Sequence, residues 1–406
     1  MADATCAGCG CACDDIEATV AGGQLSVART CALGDAWFAE RAAGPIATIE
    51  GRAANVEEAA DAAAEILRQA RAPLVYGLGQ TSCEAQRQAV ALAEALGAIV
   101  DPGGGSGASL AHQAIGSSTA TFGEIRDRAQ LVVAWHADPA VTNPRLLGRL
   151  RLERAARGSR TLIVVDERRT ATAEEADAFV ELDAAKDFEA LWALRALVAR
   201  APLDGDRAGE VPLEALGELA QRLLGAQHVA LLYGAGVAGD ELSALALFAL
   251  VRDLSRDRHT VTLGLRHDGN ARGTEDVLAW QTGFPAAVSF ARGHPRSNPG
   301  ELSAAGLLER GEADAALVVA ADPLEHLPAA AAQRLRELPT VVVDARATTT
   351  ARAARVAFAT AADGIERAGT VHRMDGVPLP LRAPLAGGHG RAGSIEDVLA
   401  AIAGRL

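Results

Sequence analysis

Lysine, aromatic side chains and long apolar runs are all scarce in this chain of 406 residues. Lys186 is the single lysine, so a Schiff-base lysine or a P-loop lysine is excluded at every other position. Aromatic residues make up 3% of the sequence, which favours closely packed helices over an aromatic-lined pocket. The formal charge of −13 argues against a general nucleic-acid binder, because phosphates attract a positive surface.

The chain also lacks the two sequence features that direct a protein to a membrane. No apolar run reaches the ~18 residues typical of a membrane-spanning helix. The first residues have neither the basic start nor the apolar stretch of a signal peptide. We therefore expect a cytoplasmic protein with no membrane partner, in which clustered cysteines are metal ligands or redox thiols more often than disulfides.

Cysteine is concentrated at the beginning of the chain. Cys6, Cys9, Cys11 and Cys13 lie within eight residues, and Cys31 follows in the stretch RTCALGD. Thiols at this density are typical of a metal or redox site. A zinc ion, an iron–sulfur cluster and a redox-active thiol group are the alternatives that the residues alone leave open.

The body of the chain alternates apolar, strand-like runs with alanine-rich helical stretches, a pattern that predicts parallel βαβ units. The motifs recur in the same order: VYGLG matches LYGAG, LVVAWHADP matches LVVAADP, and LIVVDERRTAT matches VVVDARATT. The strand-like runs that carry them are residues 72–79, 129–139, 160–170, 228–236, 313–323 and 339–349. We interpret this as an internal duplication of about 72–183 and 226–360, with each copy forming its own doubly wound sheet.

The predicted strand ends carry residues suited to a nucleotide. Gly77 and Gly79, like Gly234 and Gly236, allow a phosphate to approach the backbone ahead of a helix. The bland alternative is that each glycine serves an ordinary turn.

Acidic and basic residues recur after two of the matched strands. Asp166 and Asp344 follow apolar runs, where a carboxylate can accept hydrogen bonds from a ribose or base. Arg168 and Thr170 follow Asp166 at a spacing that the second copy repeats. An aspartate in such a place is often a helix cap instead.

The sequence resembles the molybdopterin oxidoreductases, and among them the B subunit of formylmethanofuran dehydrogenase. The bacterial counterpart of that protein is the B subunit of the formyltransferase/hydrolase complex of methylotrophs. The resemblance covers nearly the whole chain and is carried by CAGCGCACDDIEATV, RTCALGDAWF, QTSCEAQRQAVALAEALGA, TLIVVDERRT, WQTGFPAAVSF, GHPRSNPGE and GTVHRMDGVPL.

The resemblance implies that Cys6, Cys9, Cys13 and Cys31 hold a [4Fe–4S] cluster, with Cys11 as a spare. This spacing differs from the two C-x-x-C pairs usual for zinc. The resemblance also implies a molybdopterin guanine dinucleotide carrying Mo or W, with Asp166, Arg168 and Thr170 near one guanine nucleotide.

One departure from the family argues against the metal. Redox-active relatives bring a cysteine to molybdenum or tungsten from the loop that here spans 101–118, and this loop contains none. Ser106 or Ser109 is the alternative oxygen ligand, and Cys83 is expected to be a packed thiol. Relatives show a cysteine or asparagine before the D/N-P pair, where this chain has Trp135, His136 and Ala137. We expect His136 to be a hydrogen-bonded strand-end residue rather than a ligand.

The fold class expected is α/β, with two pseudo-repeated Rossmann-like domains at 56–200 and 201–406. A small cysteine-bearing domain is expected at 1–55, without a C-terminal β-barrel. The main functional hypothesis is a scaffold within a formyltransferase/hydrolase complex. Its implied partners are an amidohydrolase-like A subunit, a C subunit and a formyltransferase D subunit. A redox-active formylmethanofuran dehydrogenase component and a stand-alone nucleotide binder are the alternatives.

Overall fold

The computed structural model describes residues 2–104, 106–385 and 390–406. The strands are β1 (Ala2–Cys6), β2 (Cys13–Ala21), β3 (Gln24–Ala28), β4 (Ala47–Ile49), β5 (Arg52–Ala54), β6 (Pro73–Gly77), β7 (Ile99–Asp101), β8 (Leu131–Trp135), β9 (Thr161–Asp166), β10 (Ala178–Glu181), β11 (Arg207–Ala208), β12 (Val211–Pro212), β13 (His228–Tyr233), β14 (His259–Gly264), β15 (Val288–Ser289), β16 (Arg296–Ser297), β17 (Ala315–Val319), β18 (Thr340–Asp344), β19 (Val356–Ala359), β20 (Gly369–His372) and β21 (Pro378–Leu381).

Helices connect most of these strands. They are α1 (Ala32–Ala39), α2 (Val56–Gln69), α3 (Cys83–Leu96), α4 (Ser106–Ile115), α5 (Phe122–Arg128), α6 (Pro139–Thr142), α7 (Leu146–Arg149), α8 (Ala171–Glu175), α9 (Asp187–Val198), α10 (Leu213–Gly225), α11 (Ala235–Gly239), α12 (Glu241–Leu254), α13 (Ala271–Thr282), α14 (Pro299–Leu302), α15 (Ala304–Glu309), α16 (Pro323–His326), α17 (Ala329–Glu337), α18 (Thr349–Ala353) and α19 (Ile395–Ala403). A short 3-10 helix spans Ala184–Lys186.

The longer helices begin and end where their sequences provide caps. The Asn55 side chain accepts a hydrogen bond from the backbone of Glu58, whose carboxylate caps the start of α2 in return. Ser82 caps α3, and Gly97 ends it in the left-handed conformation that glycine adopts at no steric cost. Because both ends of α3 are encoded locally, the sequence specifies the length of the helix that follows the first glycine loop.

The chain forms two compact units, and the second is inserted into the sequence of the first. Unit 1 contains residues 1–103 and 268–406, and unit 2 contains residues 104–267. These units do not coincide with the ranges 1–55, 56–200 and 201–406 expected from the sequence.

Each unit has its own mixed or parallel sheet. The sheet of unit 1 has the strand order β16-β15-β7-β6-β17-β18-β19-β4-β5, and that of unit 2 has the order β10-β9-β8-β13-β14. The strands from β7 to β19 in unit 1 are parallel, as are all those of the unit 2 sheet. The α/β class with parallel sheets is therefore confirmed.

The prediction that each half of the chain forms its own sheet is corrected by this topology. The strand β6 pairs with β17 rather than with β8, and β8 pairs with β13. The two sheets share one order, since β6, β17 and β18 occupy the places that β13, β8 and β9 occupy in unit 2. The physical reason is that the chain leaves unit 1 at residue 103 and returns at 268, so the strands formed between those points pair among themselves.

Apolar helices cover the sheet in each unit. In unit 1, buried alanine and leucine residues of α2, α3 and α19 pack against β6, β17, β18 and β19. In unit 2, α4, α9, α10 and α12 supply the buried residues against the sheet. Strands such as β18, buried along their whole length, read as continuous apolar runs because helices cover them. Across the described residues, no helix combines the length and apolarity needed to span a membrane.

Candidate functional site

The N-terminal cysteines lie in a tight hairpin. Cys6 ends β1 and Cys13 begins β2, and the two are register partners across the antiparallel pair. Cys9 and Cys11 lie in the connecting loop, where the N–H of Ala12 donates to the carbonyl of Cys9 at 3.1 Å. All four cysteines of the hairpin are buried. The loop therefore concentrates thiols in a place that excludes most solvent.

Helix α1 brings the fifth cysteine to the same place. Cys31 is the N-cap residue of α1, and a Cβ placed on Gly34 would lie 3.1 Å from Cys6 Sγ, so the thiol packs against the first turn. Burial, together with the charges of Cys13, Cys9 and Cys31, raises the pKa of the Cys6 thiol to about 12, although a hydrogen bond from the N–H of Gly8 opposes this. The four sulfurs predicted to bind a cluster are close enough to interact.

Cys11 lies within the same group of N-terminal thiols. Hydrogen bonds with the thiols of Cys13 and Cys9 raise its pKa well above the usual value, and burial adds to the effect. Sequence reasoning treated Cys11 as a spare and missed these contacts. Its alternation with Cys9 and Cys13 was a signal, because i and i+2 residues in an extended loop lie on the same side.

The donor chemistry of the cysteine hairpin suits an iron–sulfur cluster. Zinc requires its ligands about 2.0–2.3 Å from one centre. A [4Fe–4S] cluster holds four thiolates around a larger cubane. The chemistry of the donor set, four buried or half-buried cysteines, is the one this cluster takes, and the assignment of Cys6, Cys9, Cys13 and Cys31 stays a prediction.

The first glycine loop follows β6. Gly77 has a φ of 102°, and a Cβ there would lie 2.5 Å from the carbonyl oxygen of Val319. Gly79 faces the Asp268 side chain, which a Cβ at this position would overlap. The Gln80 side chain donates to Asp268 Oδ1 at 2.8 Å. The two glycines thus accommodate a neighbouring strand and a carboxylate within unit 1.

The carboxylate of Asp344, at the end of β18, is hydrogen-bonded by a neighbouring residue of the same chain. Asp344 is 2% exposed, and it accepts hydrogen bonds from the backbone N–H of Arg346 at 2.8 Å and from its guanidinium at 3.2 Å. Burial raises the pKa of Asp344 although the nearby Arg346 opposes this. Burial alone would lower the pKa of Arg346, but the charges of Asp344, Glu40 and Asp268 raise it.

A small cavity lies beside this ion pair in unit 1. It encloses about 30 Å³ and is lined by polar residues that include Gln80, Arg41 and Asp363. This is room for about two water molecules, since one needs at least ~10–15 Å³.

The matching residues of unit 2 are arranged differently. Gly234 passes so close to the carbonyl of His136 that any Cβ there would overlap it, whereas Gly236 has open space around it. Asp166 Oδ1 accepts from the N–H of Glu167 at 2.9 Å. Arg168 is exposed and has no ion-pair partner in the described part of the chain.

Thr170 is a helix cap in the structure. Its side chain accepts a hydrogen bond from the N–H of Ala173 and so begins α8, as Thr348 begins α18 in unit 1. Helix capping therefore accounts for the threonine in the R-x-T spacing. Of the three residues expected near a guanine nucleotide, Asp166 and Arg168 keep free hydrogen-bonding capacity at the sheet edge.

The aspartates of the two D-P dipeptides form hydrogen bonds between neighbouring loops. In unit 2, Asp138 Oδ1 accepts from the N–H and hydroxyl of Thr172 at 3.0 and 2.6 Å. In unit 1, Asp322 Oδ1 accepts from the N–H and hydroxyl of Thr350 at 2.9 and 2.5 Å. Each tie joins the loop after one strand to the helix after the next, which explains why the two motifs recur together.

His136 lies among carboxylates at the end of β8. Its Nε2 is 3.0 Å from Asp187 Oδ1 and its Nδ1 is 3.8 Å from Asp166 Oδ1. The ring Nε2 has no hydrogen bond of normal geometry, so the contact with Asp187 is mainly electrostatic. Burial alone would lower the pKa of His136, but Asp187, Asp166 and Glu167 raise it above the ordinary value.

Asp187 was not singled out from the sequence. It is the first residue of α9 and 2% exposed, and it also accepts from the indole Nε1 of Trp135 at 2.8 Å. Its position after the helix-initiating stretch DAAK resembled an ordinary first-turn acid. The partner of His136 is thus Asp187, a residue 51 positions further along the chain.

Cys83 is packed in the core of unit 1, as expected. It lies in the first turn of α3 and is 5% exposed. Burial raises the pKa of its thiol to about 11, although a hydrogen bond with Asn270 opposes this. In the loop expected to hold a metal ligand, the Ser109 hydroxyl is buried in α4 without a hydrogen-bond partner among the described residues, while the side chain of Ser106 lies outside the described structure.

A second buried acid, Asp363, was missed by sequence reasoning. Its Oδ2 accepts from the hydroxyl of Thr81 at 2.6 Å and from the N–H of Ser82 at 2.8 Å, and its Oδ1 has no partner in the described ranges. Burial raises the pKa of Asp363 to about 6, and the charge of Glu396 adds to this. No local motif announces this residue, because its partners lie more than 280 positions away.

The chain is similar to known proteins over most of its length. It is 35% identical over 403 residues to the B subunit of the tungsten-containing formylmethanofuran dehydrogenase 2 of Methanocaldococcus jannaschii, covering 93% of this chain and 92% of that protein. It is 32% identical over 289 residues to the B subunit of the formyltransferase/hydrolase complex Fhc of Methylorubrum extorquens, covering 68% and 75% of the two chains. No protein-family model matches the sequence.

Two solved structures share its fold. The formyltransferase/hydrolase complex (FhcABCD) from Methylorubrum extorquens, in complex with methylofuran, contains a chain matching with a TM-score of 0.71 and 29% identity, over 88% of this chain and 98% of that one. Acetylene hydratase from Pelobacter acetylenicus matches with a TM-score of 0.68 over 100% of this chain and 69% of that one. Its 14% identity shows the fold alone.

The two parallel α/β sheets define the class of fold that this chain shares with both solved structures. Within that class, the chain belongs to the B-subunit family of formylmethanofuran dehydrogenase.

Proposed function

We propose that the chain is the B subunit of a formyltransferase/hydrolase complex in one-carbon metabolism, in which formyl groups pass between pterin and furan carriers and leave as formate. The observation that carries this proposal is the lack of a thiolate for molybdenum or tungsten. In this proposal the chain is a framework, and the formyl chemistry belongs to its partners.

The cysteine inventory supports the framework role. Of the six cysteines in the sequence, five are in the N-terminal group. The sixth, Cys83, has a raised pKa and is held between α3 and Asn270. Cys83 lies in the buried core of unit 1 among apolar side chains, as a packed structural thiol does. The fold-family metal therefore has no cysteine ligand here.

The partners follow from the likeness to the FhcABCD chain, which extends over 98% of that chain. We propose an amidohydrolase-like A subunit, a C subunit and a formyltransferase D subunit as the partners of this chain, with neither nucleic acid nor membrane among them. The reduced thiols at the N-terminus suit a cytoplasmic location.

The finer features of the fold are part of the same proposal. The shared strand order of the two sheets supports descent from an internally duplicated nucleotide-binding ancestor. Cys6, Cys9, Cys13 and Cys31 would hold a [4Fe–4S] cluster, which supplies one-electron transfer when bound. In this chain the cluster would tie α1 to the first hairpin, since its four ligands come from these two elements.

A redox-active enzyme component is the second candidate. The likeness to tungsten-containing relatives over 93% of the chain favours it, as does the retained cysteine hairpin. Such an enzyme would need a non-thiolate protein ligand for the metal, and Ser109 is the candidate because its buried hydroxyl has no partner among the described residues.

Metal analysis of the complex, purified through a tag on this chain, decides between the two. The framework proposal predicts co-purification of the A, C and D subunits, release of formate from a formylated carrier, and no molybdenum, tungsten or pterin. Stoichiometric molybdenum or tungsten with extractable pterin would establish the redox candidate instead. A Ser109→Ala variant is the matched test, since loss of that metal in the variant would identify its ligand.

A further inference from the structure

Matching charged residues lie at the ends of corresponding strands in the two sheets, but different neighbours compensate their charges. In unit 1, Asp344 and Arg346 bind one another through three hydrogen bonds. In unit 2, Asp166 and Arg168 have the same spacing, yet Arg168 is exposed and Asp166 instead faces His136 at 3.8 Å. The residue that matches His136 in unit 1 is Ala320, which carries no charge. The aspartate and arginine at the strand end therefore form an ion pair in unit 1 but not in unit 2.

The glycine loops show the same difference. At Gly79, a Cβ would overlap the carboxylate of Asp268, so this charged group lies directly against the backbone of the loop. Gln80 fixes this carboxylate with a hydrogen bond of 2.8 Å. At the matching Gly236, the described structure has no neighbouring atom within 4 Å of a Cβ position. Two independent positions of unit 1 are thus filled by side chains of unit 1 itself.

A nucleotide phosphate and Asp268 compete for the same place with the same sign of charge. A phosphate at Gly79 would have to displace a carboxylate or lie against it, and like charges in a partly buried site repel strongly. The ribose or base would also have to break the Asp344–Arg346 pair, leaving a buried charge without its partner. Both steps oppose binding, and neither arises at the matching residues of unit 2.

We propose that unit 1 has exchanged its nucleotide for an internal network of charges, made of the Asp344–Arg346 ion pair and the separate carboxylate of Asp268, with Asp268 as the residue that excludes phosphate. Unit 1 is consequently a structural copy that binds no nucleoside diphosphate, and any nucleotide site of this chain is in unit 2. This inference concerns ligand binding by one unit and holds whether or not the chain is a framework for a complex.

Hydrogen exchange of the purified full-length chain tests the network. The substitutions Asp344→Asn and Arg346→Gln are expected to speed amide exchange in residues 340–352 about tenfold or more, because each leaves a buried partner uncompensated. The increase in exchange rate in the double variant is expected to be smaller than the product of the increases in the two single variants, because the two residues interact directly. Additive effects would overturn the proposal.

The matched variants in unit 2 provide the control. Asp166→Asn and Arg168→Gln are expected to combine additively in their effect on exchange in residues 161–175, because no ion pair joins these two residues in the described structure. Strong coupling between these two residues would contradict the difference between the units on which the proposal depends.

The second measurement adds millimolar GDP or ADP to the unmodified chain. The proposal predicts unchanged exchange in residues 77–86 and 340–352 of unit 1. Slower exchange there that is lost in Asp344→Asn would show a functioning nucleotide site in unit 1 and overturn the inference. Failure of the chain to join a complex would contradict the proposed function but would leave this result unaffected.

Discussion

Cys6 and Cys13 face one another across the first two strands, so the hairpin itself sets the separation of two of the predicted cluster ligands. Cys31 reaches the same place only because the first turn of α1 packs on Cys6. Two ligands are thus placed by local strand pairing and one by tertiary packing.

The cysteine hairpin yields the first prediction. Cys6→Ser, Cys13→Ser and Cys31→Ser are each expected to lose most of the bound iron and acid-labile sulfide, because hydroxyl groups are poor ligands for an iron–sulfur cluster. Iron content and visible absorbance of anaerobically purified protein measure this. Cys83→Ser and Cys11→Ser serve as controls and are expected to retain iron. Loss of iron in Cys11→Ser with retention in Cys13→Ser would show that the ligand set is wrong.

His136 gives a pH-dependent prediction. Its pKa is raised above 6.5 in the folded chain, so the stabilisation is fully present below about pH 6.5 and is lost as pH rises through the raised value. His136→Asn is expected to lower the free energy of unfolding by roughly 3 kcal/mol at pH 6, as when a buried ion pair loses one partner. Asparagine tolerates the positive φ of 42° at this position.

Urea unfolding at several pH values measures the effect. The difference between the variant and the parent chain is expected to shrink steadily above neutral pH. A difference that stays constant from pH 6 to pH 9 would mean that the charges of Asp187, Asp166 and Glu167 do not act on the ring.

Removing the charge of Asp363 is expected to change stability in the opposite direction, by stabilising the fold. Its pKa of about 6 in the folded chain exceeds the ordinary value near 3.8, so the folded state binds the proton more tightly. Ionisation therefore destabilises the fold above about pH 6, and this cost disappears as pH falls below about 4. Asp363→Asn keeps acceptors for Thr81 and Ser82, and we expect it to raise the free energy of unfolding by up to about 3 kcal/mol at pH 8.

The same variant should give no gain near pH 4, where the parent carboxyl is already protonated. Denaturant titrations at pH 4 and pH 8 provide the comparison. Destabilisation at pH 8 would indicate that the carboxylate is required in its ionised form, for instance by an unidentified cation.

The glycine loops supply a matched pair of substitutions. Gly77→Ala is expected to cost about 3 kcal/mol or more, because the residue has a φ of 102° and a Cβ would lie 2.5 Å from the carbonyl oxygen of Val319. Gly236→Ala is expected to cost less than about 1 kcal/mol, since no described atom lies within 4 Å of its Cβ position. Thermal unfolding distinguishes the two, and equal costs would contradict the described loop geometry.

Much of the fold was readable from local pattern. The apolar runs at 72–79, 228–236 and 339–349 became β6, β13 and β18, because buried parallel strands need continuous apolar residues. The matching motifs also predicted matching places in a sheet. What pattern does not contain is the pairing partner, since β6 has the same apolar character whether it pairs with β8 or β17.

The candidate site divides in a similar way. The thiol group and the strand-end acids could be predicted, because their chemistry is set by residue type and spacing. Asp268, Asp187 and Asp363 could not, because each acts on residues distant in sequence. The stretch LGLRHDGN, an acid between a strand and a glycine, was the available signal for Asp268.

The amino-acid sequence by itself determined the α/β class, the cysteine group, and the absence of a thiolate in the loop at 101–118. These depend on composition and short-range order, which the chain carries in any conformation. Tertiary structure alone decided that β6 joins the sheet of β17 and β18 and that Asp268 covers Gly79. Long-range strand pairing and charge compensation depend on which distant segments come into contact. The free energy of burying these segments together determines which contacts form.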